Sequence, residues 1–383
     1  MKYYAMIIFF SVFLTVYFFG NWFIYSRGVK AFEGASFLTF YKWSFWILAL
    51  SFVVGQILER GEPTITGKII THIGSIWLAV LLYILLSMLL TDIVRVVDYF
   101  LPFLPEKILS GFTNARVFFV AGLFIATGMT IFGLINARNP KITQVDITID
   151  KTFPGLSQLK IVMVSDIHMG AMIANSRVED MIEKINQLNP DLVLFAGDLV
   201  DHNPLYVKAD EMGKHFLKLT PRLGVYAVTG NHEYIGHPEI SVEYLQQFGI
   251  KYLRDTIIDI GNNIVIAGRD DKDKVQFAGS PRKKLEQIIG EKQDEKFVIL
   301  MDHQPVDYTE AEKRGVDLMV SGHTHKGQLW PFGYITSLVY ENDYGLVKKG
   351  NTNYYTSSGY GTWGPPVRTG NRPEIVVFNV SFK

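Results

Sequence analysis

Five short polar clusters hold the residue types that phosphoryl chemistry needs: SDIH at 165–168, GD at 197–198, GNHE at 230–233, DHQP at 302–305 and SGHTH at 321–325. Carboxylates, imidazoles and one amide in that mixture read as ligands of two divalent cations. Two such ions about 3.5 to 4 Å apart clamp the attacking and leaving oxygens of a phosphoryl group when a carboxylate bridges them. Asp198 is the natural bridge. Asp166 and His168, two apart on the turn after a strand, point to one side and can chelate one ion, and His323 and His325 repeat that arrangement. His303 and the amide oxygen of Asn231 complete the set. Mixed oxygen and nitrogen donors suit Mn, Fe or Zn better than Mg or Ca. Cysteine is absent, which removes thiolate ligands and disulfides and leaves the redox compartment open.

The elements that must position these clusters are legible just upstream of each. The runs 161–164, 192–196, 225–228, 298–301 and 318–320 are short, apolar and rich in β-branched residues, as strands buried on both faces should be. Strand and helix patterns alternate, which indicates an α/β fold, and open α/β sheets bind ligands beyond the carboxyl ends of their strands. Residues 141–150 alternate apolar and polar as a half-exposed strand does. Ser176 with Glu179 makes a capping box, followed by the stripe Val178, Met181, Ile182, Ile185 and Leu188 of a helix stopped before Pro190. Ser280, Pro281 and Gly290 frame another helix. The stretches NYYTSS and EIVVFNVSF read as strands joined by the glycine- and proline-rich loop 359–373, and the charge-alternating run from Arg269 to Lys274 reads as a solvated loop.

The 383 residues suit about two to three domains. Their 48% hydrophobic content is concentrated in the first 140. A bilayer core needs about 20 apolar residues per helix, and four stretches qualify, near 3–25, 37–58, 69–90 and 117–136. The expected domains are therefore a bundle of four transmembrane helices at 1–140 and a soluble α/β domain at 141–383. Aromatic residues such as Trp22, Tyr25, Tyr41, Trp43 and Trp46 crowd the span ends. Asp92, Arg95 and Asp98, spaced by three, can pair along one helix face. Basic residues balance across the two sides: Lys2, Arg60, Lys68, Arg138 and Lys141 against Arg27, Lys30, Arg95, Lys107 and Arg116. The positive-inside rule thus gives no orientation. Lysine plus arginine equal aspartate plus glutamate at 37 each, so no global basic field recruits nucleic acid, and none is expected as a partner.

The order D-x-H, GD, GNHE, H, GHTH over residues 155–330 resembles the calcineurin-like binuclear metallophosphoesterases. The resemblance implies a two-sheet sandwich flanked by helices, with one metal held by Asp166, His168, Asp198 and His325 and the other by Asp198, Asn231, His303 and His323. It leaves His232 free to contact the phosphate and protonate the leaving oxygen. The flanking text SDIHMG, GNHEYIG, SGHTHKGQL and GYGTWGPPVR is similar to a membrane-anchored bacterial branch, some of whose members cleave phosphodiesters or the diphosphate of a UDP-linked diacylglucosamine. Lys326 stands where that branch has glycine: either the loop tolerates a side chain or the ammonium adds a phosphate contact. Arg368 is a candidate for a second phosphate, against an ordinary surface arginine. Trp363 covers a lipid or base, or packs under its own turn. Asp201 and Glu233 are expected to orient or cap rather than ligate, and His215 and His237 to be structural or exposed.

The expected function is a membrane-bound phosphodiesterase or diphosphatase, lipid-linked substrates included, whose nucleophile is a hydroxide bridging two transition-metal ions. A phosphomonoesterase or protein phosphatase is the alternative, and a non-catalytic metal-binding membrane sensor stands behind it. The branch with export signals points to a multi-pass protein of a bacterial cell membrane with its catalytic domain on the extracytoplasmic face. Oligomeric state is not readable.

Overall fold

The computed structural model describes residues 2–105 and 114–383; Lys107 lies outside them. The chain divides into two compact units, Met1–Ile135 with Pro365–Val367, and Asn136–Gly364 with Arg368–Lys383.

The first unit is helical. Its helices run Lys2–Ala31, Leu38–Glu59, Ile65–Phe100 and Ala115–Ala137, the last closing in the second unit. The last three are long and apolar enough to cross a membrane. The fourth expected span, near 3–25, falls in the helix Lys2–Ala31, which is not among the three. Several buried polar groups here are paired, as an apolar surround favours. Trp77 Nε1 donates to Asn21 Oδ1 at 3.1 Å and the Tyr17 hydroxyl to Ala49 O at 2.7 Å. Asp92 and Asp98 sit on the third helix, where Asp92 pairs with Arg27 and Arg95, and Asp98 accepts from the backbone of Phe103 and Leu104 as the chain leaves the helix.

The second unit is built on two six-stranded mixed sheets. One has the order β1 (Lys141–Ile149), β12 (Glu374–Phe382), β2 (Gln158–Val164), β3 (Leu192–Ala196), β4 (Val225–Val228), β5 (Ile250–Tyr252). The other runs β10 (Gly345–Lys349), β11 (Thr352–Thr356), β9 (Leu318–Ser321), β8 (Phe297–Met301), β7 (Ile264–Gly268), β6 (Thr256–Asp259). Within them β2 to β5 are mutually parallel, and so are β7, β8, β9 and β11. Both sheets therefore present carboxyl ends along one edge.

Side chains alternate faces along a strand, and here both faces are apolar. Ile161, Met163, Leu192, Leu194, Ile266, Ile299 and Val320 meet between the sheets. Val162, Val164, Val193 and Phe195 turn outward onto Val178, Met181, Ile182 and Ile185 of the helix Asn175–Gln187. Val265, Val298 and Leu300 do the same against Leu285, Ile288 and Ile289. That double burial explains why the strand runs show no polar alternation.

Three local expectations are corrected. The helix expected to be capped by Ser176 starts at Asn175 behind Ala174, which makes no side-chain cap; Glu179 reaches Lys218 instead. The helix framed by Ser280 and Pro281 is only Leu285–Ile289, although Gly290 ends it as expected. The run 269–274 is not a solvated loop: Arg269, Asp270 and Asp271 are at most 3% exposed. Arg269 bridges Asp302 and Asp307, Arg282 does the same, and Asp270 pairs with Arg254 and Lys274. Most of those partners come from other elements, which a sign count along one segment does not see.

Candidate metal centre

Each polar cluster begins where a parallel strand ends, and the backbone turns sharply there. Asp166, His168, Asp198, His323 and His325 all have positive φ, between 47° and 71°. Side chains are strained in that region by about 1–3 kcal/mol each, and such outliers persist where the surrounding structure over-determines them. Two glycines admit the close packing that follows. A Cβ on Gly230 would strike the Asp198 carboxylate, and one on Gly322 would strike that of Asp166.

All seven candidate ligands converge. Asp166, His168 and His325 form one group and Asp198, His303 and His323 another, with donor atoms of each group within 4.8 Å of one another. Asn231 Oδ1 joins the second, 2.8 Å from His323 Nδ1 and 3.3 Å from His303 Nε2. Asp198 lies between the groups: its Oδ2 is 3.1 Å from His303 Nε2 and 3.9 Å from His168 Nε2. Asp166 Oδ1 is 3.3 Å from His325 Nε2.

Buried carboxylates are ordinarily hydrogen-bonded or paired. Asp166 Oδ2 is buried without a hydrogen-bond partner, the condition a cation relieves. Burial, with the charge of Asp198 beside it, pushes the Asp166 carboxyl up. Burial acts on Asp198 the same way, but His303 and His232 outweigh it and hold Asp198 well below the usual carboxylate range. His303 is raised well above its ordinary value because Asp198 outweighs its burial, whereas burial and the neighbouring His303 lower His323 to about 3. His303 Nδ1 donates to Ala196 O at 2.8 Å, turning Nε2 toward Asp198 and Asn231. The donor set fits a pair of divalent ions.

Around it sits a supporting shell. Glu233 is fully buried and accepts from the backbone N–H groups of Gly230, Asp198 and Val200 at 2.7, 3.1 and 2.9 Å, tying two ligand loops together. Burial, with the charge of Asp198, pushes its carboxyl up to about 7. Asp201 Oδ1 accepts from His232 Nδ1 at 2.7 Å and lies 3.0 Å from His202 Nδ1. His232 also lines a cleft of about 480 Å³ together with Asp198, Asn231, His323, Tyr340 and Trp363.

The remaining expectations divide. Arg368 is corrected: it is 0% exposed and is neither a surface arginine nor free for a second phosphate. Its donors go to Gly361 O, Ser358 O, Asn371 Oδ1 and His325 Nδ1, the last at 3.1 Å. Its positive charge, after burial and His168, holds His325 well below the usual imidazole range and therefore neutral. Lys326 has φ 45°, which explains the glycine expected there, and its ammonium stacks 4.1 Å from the Tyr344 ring centroid. Trp363 is 52% exposed and lines the cleft, so it does not pack under its own turn. His215 bonds Asn175 and His237 is exposed, as expected. Phe332, Ile335 and Thr336, also in the cleft wall, were not singled out in the sequence. The signal for them was the uncharged run 327–340, which follows GHTHK.

Comparison with known proteins agrees with this geometry. The family model for calcineurin-like phosphoesterase matches residues 159–327. An uncharacterized metallophosphoesterase of Aquifex aeolicus is 33% identical over 68% of this chain and 99% of its own length. One from Campylobacter jejuni is 31% identical over 98% of this chain and 99% of its own. A Danio rerio protein, named transmembrane protein with metallophosphoesterase domain, is 32% identical over 67% of this chain, which covers 61% of it. The chain belongs to the calcineurin-like metallophosphoesterases, metal-dependent hydrolases with a binuclear centre, and carries an apolar helical region ahead of that domain.

Proposed function

We propose that the protein is a membrane-anchored phosphodiesterase or diphosphatase that accepts lipid-linked substrates. In this reading Asp166, His168, Asp198 and His325 hold one ion, and Asp198, Asn231, His303 and His323 hold the other. The observation that carries it is the convergence of two donor groups flanking Asp198, with an orphaned Asp166 oxygen, at the mouth of a cleft that His232 lines. Two divalent ions bound there supply Lewis-acid polarisation of the phosphoryl oxygens and offset their charge.

The chain's own residues do the rest. Asp201 fixes the His232 ring by accepting from Nδ1, so that Nε2 is the atom available in the cleft. A proton carried on His232 Nε2 would pass to the leaving oxygen as the bond to phosphorus breaks. Glu233 keeps Asp198 and His232 in register by holding both of their loops.

The test uses the full chain with manganese on bis(4-nitrophenyl) phosphate and 4-nitrophenyl phosphate. Diester turnover should exceed monoester turnover. His232→Ala should lower it by about 10²- to 10⁴-fold while two equivalents of metal remain bound. Undiminished activity in that variant, or a rate untouched by chelator, would sink the reading.

A further inference from the structure

We propose that residues 330–339, together with Trp363, form an apolar shelf that holds the hydrocarbon chain of an amphiphilic phosphoester, a membrane lipid, while its phosphoryl group enters the cleft beside His232. The inference rests on the hydrolase reading above and adds the site that would select the substrate. Leu338 is 88% exposed, Tyr334 69%, Val339 67%, Ile335 56% and Trp330 49%. With Phe332 and Trp363, they make up half of the exposed large apolar residues in the catalytic unit. Isolated exposed apolar side chains need no explanation, but a contiguous cluster marks a binding surface.

Hydrogen bonds from backbone and side chains hold this shelf in place. Trp330 N donates to Thr369 Oγ1 at 2.9 Å, the Thr336 hydroxyl bonds Asp343 at 2.8 Å, and the Gln328 amide exchanges two hydrogen bonds with the backbone of Trp363. The side chains are thus presented outward on fixed supports. Residues 327–340 carry no charge.

Continuity identifies the occupant. Phe332, Ile335 and Trp363 belong both to the shelf and to the wall of the catalytic cleft, so a molecule lying on one reaches into the other. A ligand covering both needs a charged phosphoryl end and an apolar end. Trp330, Tyr334 and Trp363 are also the ring types that settle at a membrane interface. The three helices able to cross a membrane among the described residues confine it to a bilayer, where lipid is the abundant molecule of that description. A second copy of the chain seated on the shelf would instead obstruct the cleft.

The experiment places the full chain, loaded with manganese, in nanodiscs and compares methyl and dodecyl 4-nitrophenyl phosphate. In both, water adds to phosphorus, the aryl P–O bond breaks and 4-nitrophenolate leaves, so tail length is the only variable. The wild type should show a kcat/KM at least about tenfold higher for the dodecyl ester, the gain from two methylenes held on the shelf. The double substitution Leu338→Ser with Val339→Ser, at exposed positions that line no part of the cleft, should remove about that factor for the dodecyl ester and leave the methyl ester unchanged. Partitioning of the tail into the disc is common to both proteins. Equal losses on both esters, or a dodecyl preference that survives the substitution, overturns the shelf. So does a fall from dimer to monomer with the preference intact, which would make a second copy the occupant. Failure of the wild type to cleave either ester refutes the hydrolase reading instead.

Discussion

Gly230→Ala offers a test of the centre that depends on steric facts alone. The backbone at Gly230 has φ −107°, which any residue adopts, so the substitution introduces no torsional penalty. The new methyl would overlap Asp198 Oδ1 and would lie 2.7 Å from Asp198 Cγ, about 0.7 Å inside the 3.4 Å at which ordinary contact begins. It would also stand 2.6 Å from Asp198 N, so the carboxylate cannot simply rotate away. Either the loop 197–198 or the loop 230–233 must move by most of an ångström, and Glu233, bonded to both, resists their separation. Overpacking of this kind costs about 1–3 kcal/mol, or about 2–4 °C in Tm for each kcal/mol in a unit of this size. The functional cost is larger, because a misplacement of about 1 Å at a reacting centre lowers rates by about 10²-fold. The expected result is a folded protein whose diester turnover drops by about two orders of magnitude and whose metal content falls below two equivalents. Wild-type turnover with two tightly held ions would refute the assignment of Asp198 as the shared ligand.

Two further outcomes are expected. Arg368→Lys removes donors from Gly361 O, Ser358 O and His325, so metal affinity measured by competition with a chelator should fall about 10- to 100-fold while KM for the diester at saturating metal stays put; a raised KM with unchanged metal affinity would return Arg368 to substrate binding. Asp271, pushed up to about 7 chiefly by burial and held by Gln304, keeps its proton in the folded state where the unfolded chain has lost it. Its contribution therefore makes stability fall as pH rises from about 4 to 7, by up to about 4 kcal/mol at 1.36 kcal/mol per unit. Thermal unfolding of chelator-treated protein should show a smaller decline from pH 5 to 8 in Asp271→Asn than in wild type, and equal declines would contradict the burial argument.

The strands β2, β3, β4, β8 and β9 were legible because burial on both faces writes itself as short runs of Ile, Val and Leu, and the seven candidate ligands stood out because each cluster follows such a run. Helix boundaries were less so. The start at Asn175 is set by the packing of Val178 and Met181 on β2 and β3 rather than by a cap. The helices Leu38–Glu59 and Ala115–Ala137, long and apolar enough to cross a membrane, matched their apolar stretches closely, since length and hydropathy are local properties.

What the sequence determined by itself is the inventory: which residues can bind metal, in what order, and that each stands at the end of a buried strand. Only the tertiary structure decided their company. Arg368 lies 43 residues from His325 in sequence yet donates to its ring, and the ion pairs of Arg269 reach Asp302 and Asp307 on another element. The apolar run after His325 became a shelf only when the Trp330 N–H and the Thr336 hydroxyl were pinned to Thr369 and Asp343. Strand and helix signals are carried by neighbours a few residues apart, whereas burial, charge pairing and exposure are properties of surfaces brought together by the fold, and no local pattern encodes them.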